Sequence, residues 1–155
     1  MAFSILEYHK IKEFDSFAKS RIEVSVASTN FIWLIVVAIC DNPSDKEIEI
    51  VKDKEGERLK KIIPSNSYKI VLDLKGQMLD SIELSKKISD VFSYNNSNIS
   101  FIIGGSLGLS NEILKNADYH LCFSKMTFPH QLMQVILLEQ IYRSFKIINN
   151  EVYHK

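Results

Sequence analysis

Phe101-Ile102-Ile103-Gly104-Gly105-Ser106-Leu107-Gly108 is the stretch that decides how this chain folds. Its apolar start, entered from Ser100, reads as a short buried strand. The strand runs straight into glycines, where the backbone can turn sharply or let a ligand approach closely. Ser110 then caps a short helix reaching about Asn116. A strand, a glycine loop and a helix in that order form half of a parallel crossover unit.

Upstream, Phe31-Ile32-Trp33-Leu34-Ile35-Val36-Val37-Ala38-Ile39-Cys40 is rich in β-branched residues and stops at Asp41-Asn42-Pro43. It reads as a fully buried strand, since it has about half the length a membrane helix needs. Ser44-Asp45-Lys46-Glu47 has the form of a capping box, opening a helix with Ile48, Val51 and Leu59 on its apolar side that ends before Pro64. Tyr68-Lys69-Ile70-Val71-Leu72-Asp73-Leu74 is a second buried strand, with a turn expected at Gly76. An amphipathic helix follows from Ser81 to about Phe92, its apolar face made of Ile82, Leu84, Ile88, Val91 and Phe92. Asn95-Asn96-Ser97-Asn98 is a loop.

Downstream, Tyr119-His120-Leu121-Cys122-Phe123-Ser124 is a further strand. Pro129 falls in the first turn of a long helix capped at Thr127 or Phe128 and running to about Ile147. Strands alternating with helices of this size predict a single α/β domain, residues 1–155, with a mostly parallel sheet. In such sheets ligands bind beyond the carboxyl ends of the strands. Those ends are Leu72-Asp73-Leu74, Ile103-Gly104-Gly105 and Phe123-Ser124-Lys125.

The bulk numbers narrow the function classes. With 155 residues the chain can bury one real core, and its 46% apolar and 25% charged shares are those of an ordinary globular domain. Its 19 basic and 19 acidic residues cancel, which argues against holding nucleic acid by phosphate neutralisation alone. An RNA role would need a local patch, shape, or a second subunit. Residues 119–155 lean mildly basic, with Lys125, Arg143, Lys146 and Lys155 against Glu139 and Glu151. Cys40 and Cys122 sit in apolar runs with no metal-like spacing, and read as buried thiols of a cytoplasmic protein. The N-terminus lacks a signal-peptide pattern, and no metal or membrane partner is expected.

The glycine loop lacks a Lys-Ser/Thr pair, so it is not a phosphate-binding P-loop, and its spacing departs from the dinucleotide pattern. With no acid or base next to it in the sequence, it can either make a plain turn or hold a nucleoside by stacking, apolar contact and backbone hydrogen bonds. An adenosyl group without phosphates suits it better than a triphosphate. The last helix carries Leu132, Met133, Val135, Ile136, Leu137, Leu138, Ile141, Tyr142, Phe145 and Ile147, apolar nearly all round. Such a helix is buried in a core or in a subunit interface, and in a domain this small a homodimer is the favoured reading. The tail Tyr153-His154-Lys155 is either merely solvated or, near a partner's pocket, able to stack on a base or move a proton.

Four ordered segments carry a family resemblance: Phe101-Ile102-Ile103-Gly104-Gly105-Ser106-Leu107-Gly108-Leu109, Phe123-Ser124-Lys125-Met126-Thr127-Phe128-Pro129-His130-Gln131, Glu139-Gln140-Ile141-Tyr142-Arg143-Ser144-Phe145-Lys146-Ile147 and Tyr153-His154-Lys155. They look like the H-type large-subunit ribosomal RNA methyltransferases, single-domain members of the SPOUT superfamily. A helix signature, Ser44-Asp45-Lys46-Glu47-Ile48-Glu49 through Lys54-Glu55-Gly56-Glu57-Arg58, extends the likeness upstream.

The resemblance implies an α/β fold with a C-terminal trefoil knot, an exception to the rule against threaded chains, with knot and cofactor site at about residues 70–155. It implies a homodimer through the 130–147 helix, S-adenosylmethionine as cofactor, and methylation of N3 of a pseudouridine in helix 69 of 23S rRNA on the assembled 70S ribosome. By motif match, the cofactor residues are Leu72, Gly104, Gly105, Phe123, Ser124, Lys125, Met126, Thr127 and Phe128. His130, Arg143, Tyr153 and His154 would face the RNA. His154, Tyr153 or bulk water would accept the N3 proton, while the site aligns N3 with the methyl group.

The likeness weakens over residues 1–42, where Tyr8-His9 replaces the family's Val-Gly and residues 14–30 match poorly. Gln134 stands where the family pattern places an arginine. These departures leave room for a non-catalytic relative that binds cofactor or ribosome without efficient methylation. An unrelated metabolite-binding α/β enzyme would leave the four ordered motifs unexplained.

Overall fold

The computed structural model describes residues 19–25, 31–37, 48–94, 98–105 and 107–151. Strands β1 (Lys19–Ser25), β2 (Phe31–Val37), β3 (Tyr68–Met78), β4 (Asn98–Ile103) and β5 (Tyr119–Cys122) form one sheet in the order β1-β2-β4-β3-β5. Helices α1 (Ile48–Ile62), α2 (Ser81–Ser93), α3 (Asn111–Lys115) and α4 (His130–Ile148) complete the described elements. β2, β4, β3 and β5 run parallel, as the alternation of strands and helices predicts. β1 pairs antiparallel with β2 at the edge. It falls in a segment that the sequence left unassigned.

Side-chain alternation sorts the core into two clusters. Ile70, Phe101, Ile103 and Leu121 pack with Leu84 and Ile88 of α2 and with Met133, Leu137, Ile141 and Phe145 of α4. Their sequence neighbours Val71 and Ile102 point to the other face, against Leu59 of α1 and Ile113 of α3. Successive strand residues face opposite sides, so a strand buried on both must be apolar throughout. β4 meets this demand with five consecutive buried residues. Ser100, polar within that run, donates its hydroxyl to Ser67 Oγ at 2.8 Å, and Ser67 donates to the Pro64 carbonyl at 2.8 Å. The chain of hydroxyls satisfies a group that would otherwise be buried at a cost.

Several expectations need correction. Gly76 does not end its strand: Leu72 and Gln77 both stand opposite Leu121, so β3 loops out between them and rejoins the ladder through Met78. A Cβ at Gly76 would lie 2.7 Å from the His120 carbonyl carbon and oxygen, which is why the loop-out needs glycine there. α2 does start at Ser81 as read, and its capping box is an addition: the Asp80 side chain accepts from the Glu83 amide while Glu83 caps the Asp80 amide in return. Ile82, read as part of that helix's buried face, is 55% exposed. β5 stops at Cys122, short of Ser124. α4 begins after Pro129, which occupies the N-cap itself; neither Thr127 nor Phe128 fills that position. α4 is also less uniformly buried than its composition implies. Met133, Leu137, Ile141 and Phe145 face the core, whereas Leu132 and Val135 are exposed. The proposed capping box at Ser44 lies outside the described residues.

Candidate functional site

β3, β4 and β5 are parallel neighbours, so their carboxyl ends finish on the same edge of the sheet. At that edge lies a cavity of about 880 Å³, lined by Leu72 from β3, Ile103, Gly104 and Gly105 from β4 and its loop, and Phe123, Ser124, Met126, Thr127 and Phe128 beyond β5. Pro129, His130 and Met133 close it from the start of α4. Three segments far apart in the chain thus meet in one place, as the topology predicts.

The glycine loop owes its shape to missing side chains. Gly108 has φ of +81°, a left-handed conformation that glycine adopts without strain, and its amide donates to the Gly105 carbonyl at 2.9 Å. A Cβ on Gly104 would lie 3.0 Å from the Gly108 carbonyl carbon and from Leu109 Cγ. The loop therefore folds tightly back on itself and presents backbone to the cavity. Beyond β5, the Cys122 thiol donates to the Ser124 carbonyl at 3.3 Å, and Ser124 Oγ accepts the Met126 amide at 3.0 Å. These local bonds turn the chain from the strand towards α4. The first turn of α4 has no side-chain cap, which leaves the positive end of its dipole beside the cavity.

The charged lining is richer than the sequence reading allowed. No acid or base neighbours the glycine loop along the chain, yet the fold brings Lys52 of α1 and Asp73 and Lys75 of the β3 loop-out to the same cavity. Asp73 Oδ1 accepts the Lys75 amide at 3.0 Å, and Asp73 Oδ2 meets Nδ1 of His120 at 2.9 Å. Burial pushes the Asp73 carboxyl up, but the Lys75 amide and His120 outweigh it and hold the group below the ordinary aspartate value. Asp73 was visible as a strand-end residue. Its tie to His120, 47 positions away, had no local signal.

Of the residues expected at the site, Lys125 is exposed and is not part of the lining. His130 is. Arg143 sits on α4 and pairs with Glu139 at 2.6 Å, one helical turn earlier. Tyr153 and His154 lie outside the described residues. Among the described residues no group of three or more His, Cys, Asp or Glu is placed to hold a metal ion, and no helix is long and apolar enough to cross a membrane.

Residues 7–154 match the family model described as "Predicted SPOUT methyltransferase". The chain belongs to the SPOUT methyltransferase family. Its relatives include a "Ribosomal RNA large subunit methyltransferase H" from Clostridium kluyveri, 48% identical with the whole of both chains covered. A protein of the same name from Alkaliphilus oremlandii is 50% identical, also over the whole of both chains. In this SPOUT chain the match takes in the N-terminal segment where the motifs are weakest.

S-adenosylmethionine, the cofactor implied by the family, suits what lines the cavity of this SPOUT chain. The volume falls within the roughly 300–1,000 Å³ usual for small-molecule sites. Leu72, Ile103, Leu109, Leu121 and Phe123 offer apolar walls for an adenine ring, and the glycine backbone offers amides and carbonyls. Asp73, Lys52 and the α4 N-terminus offer both signs of charge for an amino-acid tail.

Proposed function

We propose that this chain is an S-adenosylmethionine-dependent methyltransferase acting on N3 of a pseudouridine in helix 69 of 23S rRNA, on the assembled 70S ribosome. The reading includes a trefoil knot in the C-terminal half, a homodimer joined through the 130–147 helix, and a cytoplasmic location. The observation that carries it is the convergence of Leu72, Gly104, Gly105 and the segment after β5 on one largely apolar cavity. The full-length likeness to proteins named for large-subunit ribosomal RNA methylation supplies the substrate class.

Bound S-adenosylmethionine would supply an electrophilic methyl group on its sulfonium. The chain's own work is placement and proton handling. Leu72, Phe123 and Phe128 enclose the ligand and shed water, while the backbone around Gly104 and Gly105 approaches it without steric cost. Ser124, Met126 and Thr127 complete the wall. His130, Arg143, Tyr153 and His154 face the RNA, and His154 or Tyr153 takes the N3 proton as the new N–C bond forms. Holding acceptor and donor in line contributes more than the base, since orientation can be worth about 7–11 kcal/mol and a general base about 10²–10⁴-fold.

Exposed apolar residues on α4 support the dimer: Leu132 is 48% and Val135 63% exposed, on a helix whose opposite face is core. A pairing of α4 helices would cover them. Gln134, half-buried on this helix, favours a second reading: without the arginine of the family pattern, the chain binds cofactor and methylates poorly. Calorimetry with S-adenosylmethionine tests the site, with one ligand per chain expected. Incorporation of labelled methyl into ribosomes separates the two readings.

A further inference from the structure

Asp73 is the one carboxylate lining the cavity among the described residues, whose other ionisable side chains are Lys52, Lys75, Cys122 and His130. A short acid on a loop-out would ordinarily sample several rotamers, and here it is held from two sides. Its Oδ1 accepts the Lys75 amide at 3.0 Å, and its Oδ2 lies 2.9 Å from His120 Nδ1. The second ring nitrogen, His120 Nε2, lies 3.1 Å from the Leu114 carbonyl oxygen. Both ring nitrogens therefore lie within hydrogen-bond distance of an oxygen. The His120 ring bridges the end of α3 to the β3 loop-out, so one side chain fixes Asp73 relative to the layer beside the sheet.

This arrangement leaves Asp73 with capacity to spare. A carboxylate has about four lone-pair sites, and the Lys75 amide and His120 use two. Leu114, whose carbonyl meets the His120 ring, lines the same cavity. A carboxylate at a strand end, next to a glycine loop, is well matched to the donor groups of a nucleoside ligand, above all vicinal hydroxyls. An ammonium group offers the same chemistry with added charge.

We propose that Asp73 is a cofactor-binding residue, receiving hydrogen-bond donors of S-adenosylmethionine (its ribose hydroxyls or its ammonium), and that His120 is the positioning residue that aims it. The proposal rests on the methyl-donor reading of the cavity. Loss of a charged hydrogen bond weakens binding about tenfold or more. His120 acts only through Asp73, so its removal matters only while the carboxylate is present.

Calorimetric titration of wild type, Asp73→Asn, His120→Leu and the double variant tests this, using S-adenosylmethionine and methylthioadenosine, which keeps the ribose and lacks the amino acid. Asp73→Asn is expected to weaken S-adenosylmethionine about tenfold or more. An equal loss with methylthioadenosine assigns the contact to the ribose, and no loss with it assigns the contact to the ammonium. His120→Leu is expected to weaken binding in the wild-type background and to add nothing in the Asp73→Asn background. Asp73→Asn binding as tightly as wild type overturns the proposal, and so does an additive effect of His120→Leu. Should either variant fail to fold, nitrogen resonances of His120 in the wild-type protein decide: a shift at Nδ1 on saturation supports the contact, and an unmoved signal overturns it. Wild type that binds neither ligand overturns the methyl-donor reading itself, a result distinct from wild-type binding that Asp73→Asn leaves intact.

Discussion

The amide of Gly108 donates to the carbonyl of Gly105 at 2.9 Å, closing the loop after β4 into a tight turn. That bond depends on the left-handed backbone at Gly108, where φ is +81°. A side chain there meets no atom within 4 Å, so the cost of Gly108→Ala is strain alone, about 1–2 kcal/mol. Urea unfolding should show that loss. A variant as stable as wild type would mean the loop tolerates another conformation.

Gly104→Val is a different perturbation. Its Cβ would press on the Gly108 carbonyl carbon at 3.0 Å and the Leu109 amide nitrogen at 3.1 Å, so the loop itself must move. The expected result is a folded protein whose affinity for S-adenosylmethionine falls at least about tenfold, roughly 1.4 kcal/mol. Calorimetry beside circular dichroism checks both halves.

Leu137 is fully buried where α4 meets the sheet. Leu137→Ala should cost about 2–5 kcal/mol of stability, as for other core truncations. Val135, on the exposed side of the same helix, should behave in the opposite way. Val135→Glu is expected to leave the fold intact and yield a monomer by light scattering. A dimer that persists in this variant would move the interface elsewhere.

Burial raises the Asp73 carboxyl, but the Lys75 amide and His120 more than offset it, so the folded group titrates below its unfolded value of about 3.9. A depressed acid contributes stability that is present above the unfolded value and disappears as pH falls through the folded one. Wild type should therefore lose stability more steeply than Asp73→Asn below about pH 4. Urea midpoints across that range measure the difference, and parallel curves would contradict the account.

Much of this was legible in the sequence, and the parts that were not share a cause. The β-branched runs at Ile32, Ile70 and Ile102 announced buried parallel strands, because burial on both faces leaves no room for polar alternation. The ends of the Ile70 and Ile102 strands, with that of the strand from Tyr119, then located the cavity. The loop-out after Leu72 was hidden because Gly76 reads locally as a turn, while its real constraint is the His120 backbone beside it. β1 was missed since a short edge strand such as Lys19–Ser25 carries little apolar pattern. Lys52 reaches the lining from an element distant in the chain, and while Asp73 was read at a strand end, only the register of β3 against β5 brings it to His120.

The most direct test of the central claim is methyl transfer to assembled ribosomes that lack the helix 69 methyl group, with labelled S-adenosylmethionine and with wild type and Gly104→Val side by side. The account predicts that wild type places label on N3 of a pseudouridine in 23S rRNA, and that Gly104→Val places little or none. Folded wild type that binds the cofactor yet leaves the ribosomes unlabelled would contradict it.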